Sequence, residues 1–283
     1  MSSALIVARY ALREAVRRRV ILVVLFLTFC FLALYGLGCV VTFNEVESLA
    51  ADDQIDDRVL AGSTLLGLSM FTILFLGAVL AVFLTLGAVR GDAERGLLQP
   101  LVVRPVGRTS LLLGRFAGAA AVCALYVALV YAASVLITGL AGEWWPDQGA
   151  RAGLGLVLAV VVIAAISLLG SIFLSSTANG IAVFMLFGAG LAAGLLGQIG
   201  DALAVETLQD VAKVFSWVLP FEALYQAGLH GLTAETSGIT GVIVQLGPFG
   251  GAQKAGGLLW VWTVAYLALI AAAARLAFAR RDL

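Results

Sequence analysis

Six apolar runs divide this chain, at about residues 20–41, 60–89, 116–140, 152–174, 181–199 and 256–278, and nearly every charge falls between them. A helix needs about 20 apolar residues to cross the ~30 Å hydrocarbon core of a bilayer, because each residue rises 1.5 Å. Five runs fit that length; the run 60–89 exceeds it and is expected to tilt or project. When the flanking segments are assigned alternately to two sides, they sort by sign. Residues 1–19, 90–115, 175–180 and 275–283 hold 13 arginines and 4 acids, whereas residues 42–58, 141–151 and 200–255 hold 4 basic residues and 13 acids. An excess of Lys and Arg marks the cytoplasmic side. The sequence therefore predicts an all-α integral membrane protein with six transmembrane helices and both termini in the cytoplasm, in a formal net charge of zero that conceals two opposite faces. Apolar residues make up 62% and charged residues 12%, against roughly 45–50% and about 25% in soluble domains. All five tryptophans (Trp144, Trp145, Trp217, Trp260 and Trp262) fall in outer segments or at the outer end of the last run, where indole favours the interface.

The same distribution excludes several kinds of chemistry. The first run is too long for the 7–15-residue core of a signal peptide and leads straight into the acidic stretch 45–57, so it reads as an uncleaved anchor. Cys30, Cys39 and Cys123 lie within runs, and the single histidine, His230, has no CxxC to accompany it, so neither a disulfide framework nor a metal site is expected. A P-loop needs Gly-Lys-Ser/Thr to wrap phosphates; the two lysines, Lys213 and Lys254, follow Ala212 and Gln253. No Asp, Glu, Lys or His falls inside a run, which removes the buried relay of a proton- or sodium-driven carrier. Arg275, one turn from the inner boundary, would snorkel to it. Intramembrane proteases need HExxH, paired acids or an activating histidine within the membrane, and channel filters need charged rings or carbonyl loops. None is visible, and no nucleic-acid partner is expected.

Three segments outside the runs carry information. Within residues 1–19, Arg9, Arg13 and Arg17 recur on one face and Leu5, Ala8, Leu12 and Val16 on the other, the pattern of an interfacial amphipathic helix. The segment 90–115 uses about twenty residues where a turn between spans needs only a few. Asp92 and Glu94 open it, at a position where acids favour a helix N-terminus, and Pro100 and Pro105 interrupt it. The segment 200–255 is too long for a turn. Leu208, Val211, Phe215 and Val218 share one helical face opposite Gln209, Lys213 and Ser216, ending near Pro220. A second short helix from Phe221 to Leu232 and a Gly-rich return are expected after it.

Asp92, Glu94, Gly96 and Leu98, then Pro105, Val106 and Arg108, then Leu113, Gly114 and Arg115 form a pattern that resembles the cytoplasmic loop of ABC type 2 transporter permeases. The opening Ala8–Glu14 and the ending Phe278–Leu283 are similar to that family's start and finish, so the resemblance spans the chain as one transmembrane domain, 1–283. Leu97 and Arg115 stand where the family often has Thr and Lys, and Pro100 is unusual in the loop. The resemblance implies a coupling loop over residues 90–110, carried by Asp92, Glu94, Arg95, Gly96, Leu98, Pro105 and Arg108. There a separate cytoplasmic ABC ATPase, in two copies, would press while binding ATP and magnesium itself; this chain is expected to be no enzyme and to hold no cofactor. It also implies a second permease subunit, as a homodimer, in a bacterial cytoplasmic membrane.

The fifth run carries Gly188, Gly190, Gly194 and Gly197. Small residues let helices approach closely in lipid; packing within one subunit is the plain reading, and the family resemblance points instead to a dimer interface lining the path. The outer segment, with Phe215, Trp217, Pro220 and Phe221, reads either as a connector resting on the surface or, by resemblance, as a gate over that path. An apolar, charge-free interior offers no partner to a strongly ionic solute, so an amphipathic or lipid-like substrate is expected. The alternative keeps the ATPase without a cargo: permeases of copper-enzyme maturation systems are also similar, and there force would pass to an extracytoplasmic partner on segment 200–255.

Overall fold

A computed structural model describes residues 19–48, 56–86, 108–246 and 256–279. Arg9, Arg13 and Arg17 of the predicted interfacial helix, and Asp92, Glu94, Arg95, Gly96, Leu98 and Pro105 of the predicted coupling loop, lie outside the described residues. Arg108 is the first residue of a helix.

Everything regular among the described residues is helical. α1 (Arg19–Ser48), α2 (Asp57–Thr85), α3 (Arg108–Gly142), α4 (Gly149–Phe173) and α5 (Ser176–Leu203) precede three short helices, α6 (Glu206–Val218), α7 (Pro220–His230) and α8 (Gly238–Leu246), and α9 (Gly257–Ala279) follows. α1 to α5 and α9 are each long and apolar enough to cross a membrane. The helices outrun the apolar runs: α1 continues through Glu45 and Glu47 to Ser48, and α5 spans 28 residues. An apolar run measures the hydrocarbon, whereas the backbone keeps its internal hydrogen bonds on through the interface. At the start of α2 a side chain caps the helix. Asp56 accepts from the backbone N–H groups of Arg58 and Val59, both at 3.1 Å, and opens α2.

Successive spans run in opposite directions, so one end of the bundle gathers the acid-rich connections and α6–α8, and the other the arginine-rich ones. α2 and α4 form the centre: 67% and 61% of their most apolar windows are buried within the chain, against 17% for both α1 and α9. Leu66, Met70 and Ile73 of α2, Leu156, Val160 and Ile163 of α4 and Val127 of α3 belong to one buried apolar cluster. α1 lies against α2 and α3, and α9 against α4 and α3.

Hydroxyl and amide groups tie the spans together. Ser69 Oγ donates to Ser134 Oγ at 2.8 Å, and Thr28 and Tyr126 share a hydrogen bond of 2.6 Å. At the arginine-rich end Thr85 Oγ1 donates to Ser167 Oγ at 2.6 Å, and Asn179 Nδ2 donates to the Ser167 carbonyl at 2.9 Å, linking α2, α4 and the start of α5. Such bonds average about 0.6 kcal/mol in a membrane, so packing dominates. Gly77 sits where α2, α3 and α4 meet; a Cβ there would lie 2.8 Å from Val160 and 3.1 Å from Val127. Gly77→Val is expected to cost about 1–3 kcal/mol by overpacking. Gly36→Ala, whose Cβ would meet Ile137 at an ordinary 3.8 Å, should leave thermal unfolding of the purified protein in detergent unchanged. Equal midpoints for the two variants would contradict this account of the centre.

Candidate functional site

The acid-rich end is where the chain stops behaving as a simple bundle. α5 ends on Ala204, which takes a left-handed conformation (φ 54°), and the Val205 N–H closes back on the Gly200 carbonyl at 2.9 Å. The chain reverses, and α6 returns beside α5, with Gln209 Nε2 donating to the Gly200 carbonyl at 3.2 Å. α6 has no buried residue; Val211, Val214, Phe215, Trp217 and Val218 of it are all exposed. Of the predicted apolar face, Val211, Phe215 and Val218 are turned outward, whereas Leu208 is half-buried against Gly200 of α5.

α7 does the opposite. Pro220 occupies its first turn, where a missing N–H costs nothing, and the helix turns into the bundle. Phe221 is 1% exposed and Leu224 0%, and α7 lies chiefly on α4 while also touching α2, α5 and α9. The connector reading of the outer segment thus fits α6 but not α7. Glycines explain the approach. At Gly155 of α4 a Cβ would stand 2.9 Å from the Leu224 carbonyl oxygen, so only glycine lets the two backbones come this close. At Gly190 of α5 it would meet the Phe221 ring at 2.5 Å, and at Gly194 it would fall on the Glu222 carboxylate. Phe221 also stacks on Phe187 with ring centroids 5.8 Å apart.

Glu222 is the residue that sequence reasoning missed, counted there among solvated outer acids. It is 6% exposed. At the third position of a helix a glutamate commonly folds back to cap the N-terminus, but no side chain caps α7. Instead Gln226 Nε2 donates to Glu222 Oε1 at 2.8 Å, and Gln198 Nε2 of α5 donates to Gln226 Oε1 at 3.2 Å. Burial pushes the Glu222 carboxyl up to about 7, partly offset by the Gln226 hydrogen bond. The legible signal was local: Phe221, Leu224, Tyr225 and Leu229 cover more than one helical face, which leaves no polar face to hold a charge in water.

These groups border a cavity of about 220 Å³ at the acid-rich end. Gly197 and Gln198 come from α5, Ser216 and Trp217 from α6, Glu222 and Gln226 from α7, and the first turn of α9 closes it. Trp217 is fixed by its neighbours: Trp262 Nε1 donates to its carbonyl at 3.0 Å, and the two rings meet edge-on at 5.4 Å. Of the residues predicted as a gate, Trp217 lines the cavity, Pro220 and Phe221 are buried beside it, and Phe215 lies on the outer face. Of the predicted glycines, Gly190 and Gly194 receive α7, Gly197 lines the cavity, and a Cβ on Gly188 would meet nothing within 4 Å. Arg108 opens α3 at the opposite end and is not brought near them. His230 closes α7. Among the described residues no three His, Cys, Asp or Glu converge.

A raised carboxyl stabilises the folded protein fully below its ordinary pKa, and that stability is lost as pH rises through about 7. Glu222→Gln should therefore unfold at a higher temperature than wild type at pH 8, by on the order of 2–3 kcal/mol, with the difference closing at pH 5. A constant difference between pH 5 and pH 8 would mean that Glu222 is not buried as described.

No curated protein matches the chain. The family model described as ABC-2 family transporter protein matches residues 5–283, which is nearly all of it and includes all six helices long enough to span a membrane. The chain is a multi-pass membrane protein that belongs to the ABC-2 family, as the permease of an ABC transporter.

Proposed function

We propose that the chain is the permease subunit of an exporter of amphipathic or lipid-like molecules, driven by a separate ATPase that binds ATP and magnesium. It works as a homodimer on two copies of that ATPase, in a bacterial cytoplasmic membrane, with both termini and residues 90–110 on the cytoplasmic side. The family match over residues 5–283 carries this reading. The arginine excess of one set of connections supports the orientation, and the absence of Gly-Lys-Ser/Thr from the sequence supports a separate ATPase. The exposed faces of α1 and α5, with Leu22, Phe26 and Phe29 on one and Met185 and Gly188 on the other, support a second subunit.

In this reading, closure of the ATPases on ATP pushes on the coupling loop and the interfacial helix at residues 1–19. The loop joins α2 to α3, and the Thr85–Ser167–Asn179 hydrogen bonds tie the end of α2 to α4 and to the start of α5. α5 carries the push toward α7 and the cavity at the other end. A second reading, force transmission to an extracytoplasmic partner, is favoured by one observation: α6 offers Val211, Val214 and Val218 outward at the acid-rich end.

The test is a pull-down of the tagged protein from native membranes, followed by the ATPase activity of what copurifies. An ATP-hydrolysing subunit is expected to be recovered with wild type and lost with Glu94→Arg plus Arg108→Glu. Ser167→Ala plus Asn179→Ala should retain the subunit but reduce its stimulation by amphipathic compounds severalfold. Recovery of the protein without any ATPase, in mild detergent and several lipids, would overturn the reading. ATPase stimulation by a bound extracytoplasmic protein but by no amphipathic compound would favour the second.

A further inference from the structure

We propose that the cavity between α5, α6, α7 and α9 binds the ammonium headgroup of an amphipathic cation, with Glu222 as the counter-ion and Trp217 as an aromatic wall. The inference rests on the exporter reading only for what becomes of the bound molecule, since binding itself needs no ATPase.

The site is built rather than incidental. Glu222 is 6% exposed, and its carboxylate fits only because Gly194 has no Cβ. The amide chain from Gln198 through Gln226 to Glu222 Oε1 fixes the carboxylate's orientation. A carboxylate offers about four acceptor positions, and Gln226 occupies one. Burying an ionised carboxyl without a counter-charge is costly, yet no described residue lining the cavity is a lysine or arginine. Lys213 of α6 instead pairs with Asp210 on the exposed side, at 3.7 Å. From the elements around Glu222, the facing groups are Gln198 and Gly194 of α5, Ser216 and Trp217 of α6, and the first turn of α9.

The chemistry of this lining selects a cation of one kind. A single carboxylate does not meet the six to eight oxygens of a calcium site, whereas an ammonium is satisfied by one carboxylate and an aromatic face. The volume of about 220 Å³ lies below the roughly 300–1,000 Å³ of sites that enclose drug-sized ligands, so a headgroup enters and its tail stays outside. Apolar surface for that tail is adjacent: Leu195, Leu196 and Ile199 of α5 and Val214 and Val218 of α6 are all exposed. The acid-rich end adds a field that draws cations to the entrance. Sequence reading excluded ionic partners because no run holds a charge; α7 brings one in from outside the runs.

The test titrates the purified full chain, in uncharged maltoside micelles, with 11-bromoundecyltrimethylammonium, whose bromine quenches tryptophan fluorescence. At pH 8 a saturable component is expected with this cation and not with 11-bromoundecanol. Glu222→Gln should weaken it about tenfold or more, as loss of a charge-assisted contact, and lowering the pH to 5.5 should weaken wild type alike, because the carboxyl then holds a proton. Ala212→Phe fills the cavity from α6, a helix with no buried residue, and should abolish the component without touching Glu222. Competition by phosphatidylethanolamine would identify bilayer lipid as the source of the ammonium; its failure to compete would identify a free amphipathic amine. Equal quenching of wild type and Glu222→Gln, or equal quenching by the alcohol, would overturn the proposal. So would saturable binding that emerges only in Lys254→Gln, since the cavity would then hold a charge pair within the chain. Binding that holds while no ATPase copurifies would leave the site intact and remove the exporter reading.

Discussion

Where packing excludes water, every buried backbone N–H and carbonyl needs a partner inside the protein. α7 meets that demand over 11 residues by being helical itself. Its burial then depends on how closely other backbones can approach. Gly155 and Gly194 supply the clearance, on two different spans. Because α7 is seated between α4 and α5 with Leu224 fully buried, the acid-rich end is a continuation of the core and not a cap resting upon it.

Hydrogen bonds and close packing act together at both ends of the bundle. At the arginine-rich end, Thr85, Ser167 and Asn179 join three spans through directional hydrogen bonds. Asn179 Oδ1 is the one fully buried side-chain polar atom among the described residues without a partner. At the acid-rich end glycine against backbone, Phe187 on Phe221 and Trp217 on Trp262 act together with the hydrogen bonds from Gln198 through Gln226 to Glu222 and from Trp262 to the Trp217 carbonyl.

Much of this was legible from residues alone. Run length gave six spans, and charge sign gave two distinct ends, because both follow from transfer free energies that do not depend on the fold. The helical periodicity of Leu208, Val211, Phe215 and Val218 gave α6 and its end at Pro220. Periodicity cannot say which neighbour a helix meets. Gly190 and Gly194 read as a close-packing stripe, but their occupants, Phe221 and Glu222, lie about thirty residues on. Glu222 looked like one more acid of the outer segment, on its expected second short helix, because its burial is decided by Gly155 and Gly194, not by its own surroundings in sequence. Helix ends were drawn short for a different reason: hydropathy marks the lipid boundary, and Glu45 and Glu47 continue α1 beyond it.

The seating of α7 also bears on how the protein is made. Synthesis proceeds from the N-terminus, and α2, α3, α4 and α5 all precede residue 220. Gly155 of α4 and Gly190 and Gly194 of α5, against which α7 seats, therefore all precede it in synthesis. Seating α7 takes Glu222 out of water and against these spans, where it is 6% exposed. The carboxyl enters most easily with a proton or a cation in its company. The burial of Glu222 during assembly and the cation binding proposed above thus pose one physical problem, the entry of a charge that does not travel alone.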